Sequence, residues 1–518
     1  MFYIKMAVVI AISCFIVFRS QHIDVEARSP SYDELQWASA SIMTYHFFKG
    51  RTTAEIAHDP WFLKYAYKHK LDIFKKGTKD NVQLDLSKIS KKEYRWFDRM
   101  LWTFGWKAPN FSKVIKGMYL TARVGPMRFD SYYEKGKETL NEHPDLYYSR
   151  IPAKYIGIAR EVEAFFTLCS LALVFFIGCH FFNDIVGFAA WLYLLFNTAF
   201  IQVNTAVGMD STSFCFSALT ILFTLILIKE VNKTSPSTWK IVVHSIVLGL
   251  SLGLAVSSKL NSAALFFALL WLAVAIIYTL WKRIPRTNRA EVEPLKLKAR
   301  IKKEQKVRRD RNVYLKKWGK LFSISAVCIL IVSCGTFLLL NPHMRSEPVK
   351  KVKIVRESVD EYFKIRANVL GTRHIKDSWF ESFKLVLKRN YLCLTKNDGQ
   401  KFKGTLGAII KTDWKFMDML LFLIGFYVLF RQAILSTFKK HTISYHLVVL
   451  VYFIVICYMN IDFIWTGYTR YFTPLYLTSN IIIALGFEMI VLYLLQNFHF
   501  LNRTRLEHLY LIWPKKQP

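Results

Sequence analysis

Two adjacent carboxylates follow the first apolar run, in Ser29-Pro30-Ser31-Tyr32-Asp33-Glu34-Leu35-Gln36-Trp37. An acid this near a bilayer costs free energy unless it is paired or put to use. Neighbouring positions on a helix point about 100° apart, so Asp33 and Glu34 cannot both face one target. One suits a reacting centre while the other holds a neighbour. The same stretch also reads as a helix start, where short polar side chains accept from the first backbone amides. Spacing leaves both readings open.

Further charges stand at the ends of later apolar runs. Arg160 opens one, in Ala159-Arg160-Glu161-Val162-Glu163. Asp210 lies in a short turn, Val207-Gly208-Met209-Asp210-Ser211-Thr212-Ser213, where an acid also serves as a helix cap. Lys259 closes Gly249-Leu250-Ser251-Leu252-Gly253-Leu254-Ala255-Val256-Ser257-Ser258-Lys259, whose glycines permit close helix packing. Arg470 stands in Thr469-Arg470-Tyr471-Phe472-Thr473-Pro474. An Arg at such a place either snorkels to the interface or grips a phosphate with its planar fork. Carboxylates that take a proton from a nucleophile, beside cations that hold a phosphate, make a group-transfer site.

Such residues need elements to hold them, and the composition says which. The chain has 518 residues, 53% of them apolar and 16% aromatic, with a mean hydropathy of +0.22. A soluble chain of that length divides into several domains and spreads its apolar residues. Here they gather into runs of about twenty, each long enough to cross a hydrocarbon core. The expected fold is an all-α polytopic membrane protein of about ten helices, near 2–18, 161–180, 185–206, 212–229, 241–257, 261–281, 320–340, 416–432, 444–461 and 473–495. The first reads as an uncleaved anchor, since Lys5 interrupts it and no small-residue cleavage site follows. Disordered, collagen-like, coiled-coil and disulfide-stapled classes are excluded. All cysteines but Cys393 fall inside apolar runs, so they read as inert core residues.

The net charge of +34 does not point to nucleic acid here, because basic residues collect beside cytoplasmic helix ends. From Lys282 to Lys320 there are 16 basic residues against four acids, Glu291, Glu293, Glu304 and Asp310. A loop this basic belongs in the cytoplasm. That divides the chain into a catalytic membrane region over 1–282, a basic cytoplasmic loop over 283–319, a second membrane region over 320–495 and a basic cytoplasmic tail over 496–518. Loops 19–160 and 341–415 then lie on the exoplasmic face, with Asp33, Glu34, Arg160, Asp210, Lys259 and Arg470. The first is dense in Trp, Tyr, Phe and Lys, the make-up of amphipathic helices lying in the headgroup region.

In this order the motifs resemble the polyprenyl-phosphate-sugar glycosyltransferases of the GT-C class, above all protein O-mannosyltransferases and lipid A aminoarabinose transferases. Besides the elements above, His58-Asp59-Pro60 stands where the family has a His-Pro-Pro-like motif. The resemblance implies a GT-C-like helical bundle that transfers a sugar from dolichyl or another polyprenyl phosphate, with inversion, to a hydroxyl on a protein, lipid or glycan. It implies Asp33 as the base and Glu34 as an orienting or acceptor-contacting residue. Arg160 would hold the donor phosphate or the acidic pair, Lys259 and Arg470 would contact the donor phosphate, and Asp210 and His58 would contact the acceptor or sugar. The leaving group is already a phosphate, so its departure needs cations more than a general acid; no cofactor is required, no metal-binding Asp-x-Asp motif stands in either large loop, and a divalent cation is left open. Asp59 departs from the His-Pro-Pro pattern, and loop 341–415 is too short for the luminal β-trefoil of eukaryotic protein O-mannosyltransferases.

The competing reading is a multispan transporter or flippase. Transporters place their charged and helix-breaking sites near mid-membrane, often in two related halves, whereas here the conspicuous polar residues lie at helix ends. Membrane lipids are expected partners and nucleic acid is not. The terminal Lys515-Lys516-Gln517-Pro518 matches a dilysine retrieval pattern, and Asn110-Phe111-Ser112 is an acceptor sequon. Both fit the endoplasmic reticulum, and a bacterial inner membrane is the alternative.

Overall fold

The computed structural model describes residues 2–20, 38, 41, 110–124, 153–233, 235–282, 297–341, 379–387, 415–463 and 473–497. Among them are thirteen α-helices and no strand. In chain order these are α1 (Phe2–Ser20), α2 (Phe111–Val124), α3 (Ala153–Phe181), α4 (Asp184–Leu195), α5 (Thr198–Thr205), α6 (Asp210–Val231) and α7 (Thr238–Ser258). They continue with α8 (Ala264–Lys282), α9 (Leu297–Leu340), α10 (Trp379–Leu387), α11 (Lys415–Ile434), α12 (Tyr445–Phe463) and α13 (Thr473–Asn497). Seven helical stretches are long and apolar enough to cross a membrane, and three shorter apolar helices, Phe2–Val17, Asp184–Leu195 and Tyr445–Ile461, accompany them. The chain is an integral membrane protein with an all-α polytopic fold, as its hydropathy requires.

The core explains the arrangement. Helices α3, α4, α6, α11, α12 and α13 bury one continuous apolar cluster, and α1 adds Val9 and Val17 to it. Helix α6 is the most enclosed, with 78% of its apolar window buried, so it carries apolar residues on every face instead of one stripe. Several buried hydroxyls in the spans pair across helices, as an apolar interior favours. The Trp191 indole donates to Ser13 Oγ at 2.9 Å, tying α4 to α1. Thr224 and Tyr452 pair at 2.9 Å, tying α6 to α12. Lys5 near the start of α1 pairs with Asp184 at 2.5 Å.

Small residues set two of the closest helix contacts. A Cβ on Gly253 of α7 would meet Thr336 Cβ of α9 at 2.7 Å, and one on Gly249 would meet the Ile329 carbonyl oxygen at 2.9 Å. Gly425 of α11 and Gly486 of α13 lie each against the other's backbone. Such contacts let helix backbones approach where hydrophobic driving force between helices is weak.

The structure departs from the expected spans in two places. The run 185–206 forms two helices, because Asn197 accepts from the Phe200 amide at 2.9 Å and starts α5 anew. The basic segment 283–319 is helical from Leu297, where α9 begins and runs for 44 residues into the apolar span. Its Lys, Arg, Glu and Leu residues are good helix formers, and Gly319 is the first glycine after Leu297.

Candidate functional site

Polar side chains collect at one end of the bundle. The first turns of α3 and α6, the last turn of α7, the end of α9 and helix α2 all meet there. Asn341, just after α9, accepts from the Asn110 amide at 3.1 Å through its Oδ1. Its Nδ2 donates to Ser257 Oγ near the end of α7 at 3.4 Å. Ser213 of α6 pairs with Ser262, just after α7, at 2.7 Å. Asn110 is thus packed between helices and only 2% exposed, which removes the sequon Asn110-Phe111-Ser112 as an accessible glycosylation site.

Helix α2 supplies the unexpected part. Its inward residues are Ser112, Lys113, Lys116, Gly117 and Leu120, while Met118 is 52% exposed. This inverts the usual amphipathic pattern, in which lysines face water. A buried ammonium survives only if it is paired and hydrogen-bonded. Lys116 meets that demand by donating to Glu163 Oε1 at 2.6 Å, to Ser112 Oγ at 2.9 Å and to the Gly208 carbonyl. Glu163 in turn accepts from the Gly208 amide at 2.9 Å and from the Ser211 hydroxyl. One carboxylate therefore fastens α2, α3 and the turn before α6 together. Lys113 is buried beside Lys116, and loss of water together with that neighbouring charge lowers its pKa to about 7.

Arg160, Glu163 and Thr167 recur at spacings of three and four, one stripe of α3, and Arg160 is 1% exposed. Thr167 donates to the Asn204 carbonyl at 3.0 Å. Asp210 is the first residue of α6, one past the cap residue Met209. Its carboxylate accepts from Lys259 Nζ at 2.5 Å. Lys259 sits in extended backbone where α7 ends.

Of the residues singled out from sequence, the structure brings Asp210 and Lys259 into contact and buries Arg160 at the same end of the bundle. Asp33, Glu34, His58 and Arg470 lie outside the described residues. Glu163, Lys113 and Lys116 were not among the candidates. Glu163 was visible as an acid one turn beyond Arg160 inside an apolar run, and the i, i+3 lysines of α2 gave no signal of burial.

One stretch of the chain matches a known family. Residues 157–291 match the family model of dolichyl-phosphate-mannose-protein mannosyltransferases. The resemblance to GT-C glycosyltransferases read from the motifs is thereby met over this stretch, about a quarter of the chain. Arg160, Glu163, Asp210 and Lys259 all fall inside it, while Lys113 and Lys116 enter from outside. None of the curated proteins compared with the chain matches it. Among solved structures, the archaeal oligosaccharyltransferase AglB from Archaeoglobus fulgidus, in complex with an inhibitory peptide and a dolichol-phosphate, superimposes with a TM-score of 0.39 at 10% identity. The superposition covers 88% of this chain and 50% of that one, so the chain spans about half that protein's length.

Proposed function

We propose that this chain is a GT-C-class membrane glycosyltransferase. It moves a sugar, mannose or another hexose or pentose, from dolichyl or another polyprenyl phosphate to an acceptor hydroxyl on the exoplasmic side. The acceptor is a protein, lipid or glycan. The observation that carries this reading is a buried charged cluster, four of whose members, Arg160, Glu163, Asp210 and Lys259, lie within the stretch matching the mannosyltransferase family.

In this scheme the acceptor oxygen attacks the anomeric carbon from the face opposite the phosphate, and its proton passes to Asp33. The carbon–oxygen bond to phosphate breaks with its electron pair staying on the phosphate, which leaves as polyprenyl phosphate. Inversion follows from the single displacement. Negative charge grows on the leaving oxygen, so fixed cations help most there. Arg160, Lys259 and Arg470 take that role, while Glu34 orients the base. Asp210 and His58 contact the sugar or the acceptor. Lys259 is held ready by Asp210, and the turn bearing Asp210 is fixed by Glu163. The leaving phosphate needs positive charge more than a proton, and in this scheme the basic side chains supply it.

The test is transfer from radiolabelled polyprenyl-phosphate sugar in membranes carrying the full chain. Wild type is expected to label an acceptor fraction, Asp33→Asn to abolish labelling, and Arg160→Ala to reduce it by about 100-fold or more. Labelling unchanged in Asp33→Asn removes that residue from the mechanism. No transfer by wild type to protein, lipid or glycan acceptors, with movement of a lipid-linked substrate across the membrane instead, replaces the transferase with a transporter.

A further inference from the structure

The opposite end of the bundle carries a second feature, unrelated to the charged cluster. A cavity of about 250 Å³ lies between α6, α7, α8 and α9, walled by Leu227, Ile241, Leu248, Phe266, Trp318 and Leu321 among others. Its position follows from the helices: Asp210 starts α6, whereas the groove lies along its far half, at Thr224 to Val231. Leu270 and Leu330, also in its walls, are 49% and 48% exposed, so the cavity opens sideways. The hydroxyls in its walls have partners within the protein. Thr224 bonds Tyr452 at 2.9 Å, and Ser325 bonds Ser245 at 2.6 Å. What fits there is hydrocarbon. Ligand pockets for whole small molecules run to about 300–1,000 Å³, so this one suits part of a chain.

Lysines stand next to wall residues along the chain: Lys240 precedes Ile241, Lys282 follows Leu280 by two residues, and Lys317 and Lys320, both exposed, precede Trp318 and Leu321. The Lys282 ammonium lies over the rings of Trp281 and Tyr278, at 5.1 and 5.7 Å from their centroids, an arrangement typical of the membrane interface. The nearby acid Glu230 is engaged by Lys233 at 2.5 Å and by the Ser237 amide at 3.0 Å. An apolar slot ending in lysines matches one kind of molecule, an amphiphile with an anionic head.

We propose that this groove holds an acyl chain of an anionic phospholipid whose phosphate rests on Lys317 and Lys320. A zwitterionic lipid places a cation among the lysines and is disfavoured. A polyprenyl chain reaching down from the charged end of the bundle brings no anion to this rim. Basic pockets between membrane helices select anionic headgroups in this way.

Native mass spectrometry of the full-length chain in detergent, with phosphatidylglycerol and phosphatidylcholine of identical chains added, tests the assignment. Each surface lysine raises affinity for anionic lipid roughly fivefold. Wild type, with Lys317 and Lys320, is therefore expected to retain phosphatidylglycerol about 25-fold better than phosphatidylcholine. K317E/K320E should bring that ratio to one or below, and K317R/K320R should keep it. Ala273→Phe, which fills the groove, should lose phosphatidylglycerol adducts while keeping the wild-type thermal midpoint. Equal retention of the two lipids by wild type overturns the proposal. So does an unchanged ratio in K317E/K320E, phosphatidylglycerol bound by an intact Ala273→Phe, or displacement of phosphatidylglycerol by polyprenyl phosphate. None of these readouts uses sugar transfer, so they stand or fall separately from the enzymatic reading.

Discussion

At the scale of single residues, Glu163 is the most consequential side chain at the charged end. Its partners come from α2, from the turn before α6 and from α6 itself. Breaking a buried ion pair by removing one partner costs about 3–5 kcal/mol, since the remaining charge is left without compensation. Lys116→Met is therefore expected to lower the thermal midpoint of the purified protein sharply. Lys116→Met combined with Glu163→Gln should recover part of that loss, and a double-mutant cycle reads the coupling. Lys113 gives a pH signature. Its pKa is lowered to about 7 from an unfolded value near 10.4, so between those values the unfolded chain binds more protons than the folded one. Stability from this group thus rises as pH climbs from about 7 to about 10. Melting curves across that range should show the rise in wild type and a flatter profile in Lys113→Met. Arg160, Asp210 and Lys259 were legible in the sequence because a charge at the end of an apolar run is anomalous. Glu163 was harder to separate from Glu161, which stands two residues away and binds Tyr119 and Arg123 on the outer side. Lys113 and Lys116 were not legible at all, because pattern reading assigns lysines of an amphipathic helix to the wet face.

At the scale of helices, hydropathy located the membrane-crossing segments well, since each must satisfy its own backbone within lipid. It failed where a polar side chain decides. Asn197 looks like one more residue in a long apolar run, yet it accepts from the Phe200 amide and divides that run into α4 and α5. Removing this cap, as in Asn197→Ala, is expected to cost about 1 kcal/mol, seen as a modest fall in thermal midpoint. The glycine spacing of α7 was read correctly as a packing device. Gly253→Leu should be far more disruptive than Asn197→Ala, because its side chain would collide with Thr336 and the Ser333 carbonyl of α9. Overpacking of this kind costs about 1–3 kcal/mol or more, and the yield of folded protein in detergent is the measurement.

For the whole molecule, the orientation expected from the basic segment makes a direct prediction. Met118 of α2 and Trp239 at the start of α7 are both exposed, and α7 runs from the far end of the bundle to the charged end where α2 packs. In a chain lacking its native cysteines, Met118→Cys is expected to react with an impermeant maleimide from the exoplasmic side, and Trp239→Cys from the cytoplasmic side. Reversal of the two accessibilities would invert the topology and move the charged end to the cytosol. Charge counts could foresee this orientation, but not that the basic segment continues a span as one helix. With 44 residues at 1.5 Å each, α9 is about 66 Å long, roughly twice the thickness of the hydrocarbon core. The surplus is a rigid mast. A fluorophore at Lys306, which is exposed, would ride about 20 Å beyond Lys320, so its anisotropy should decay with the slow rotation of the entire particle.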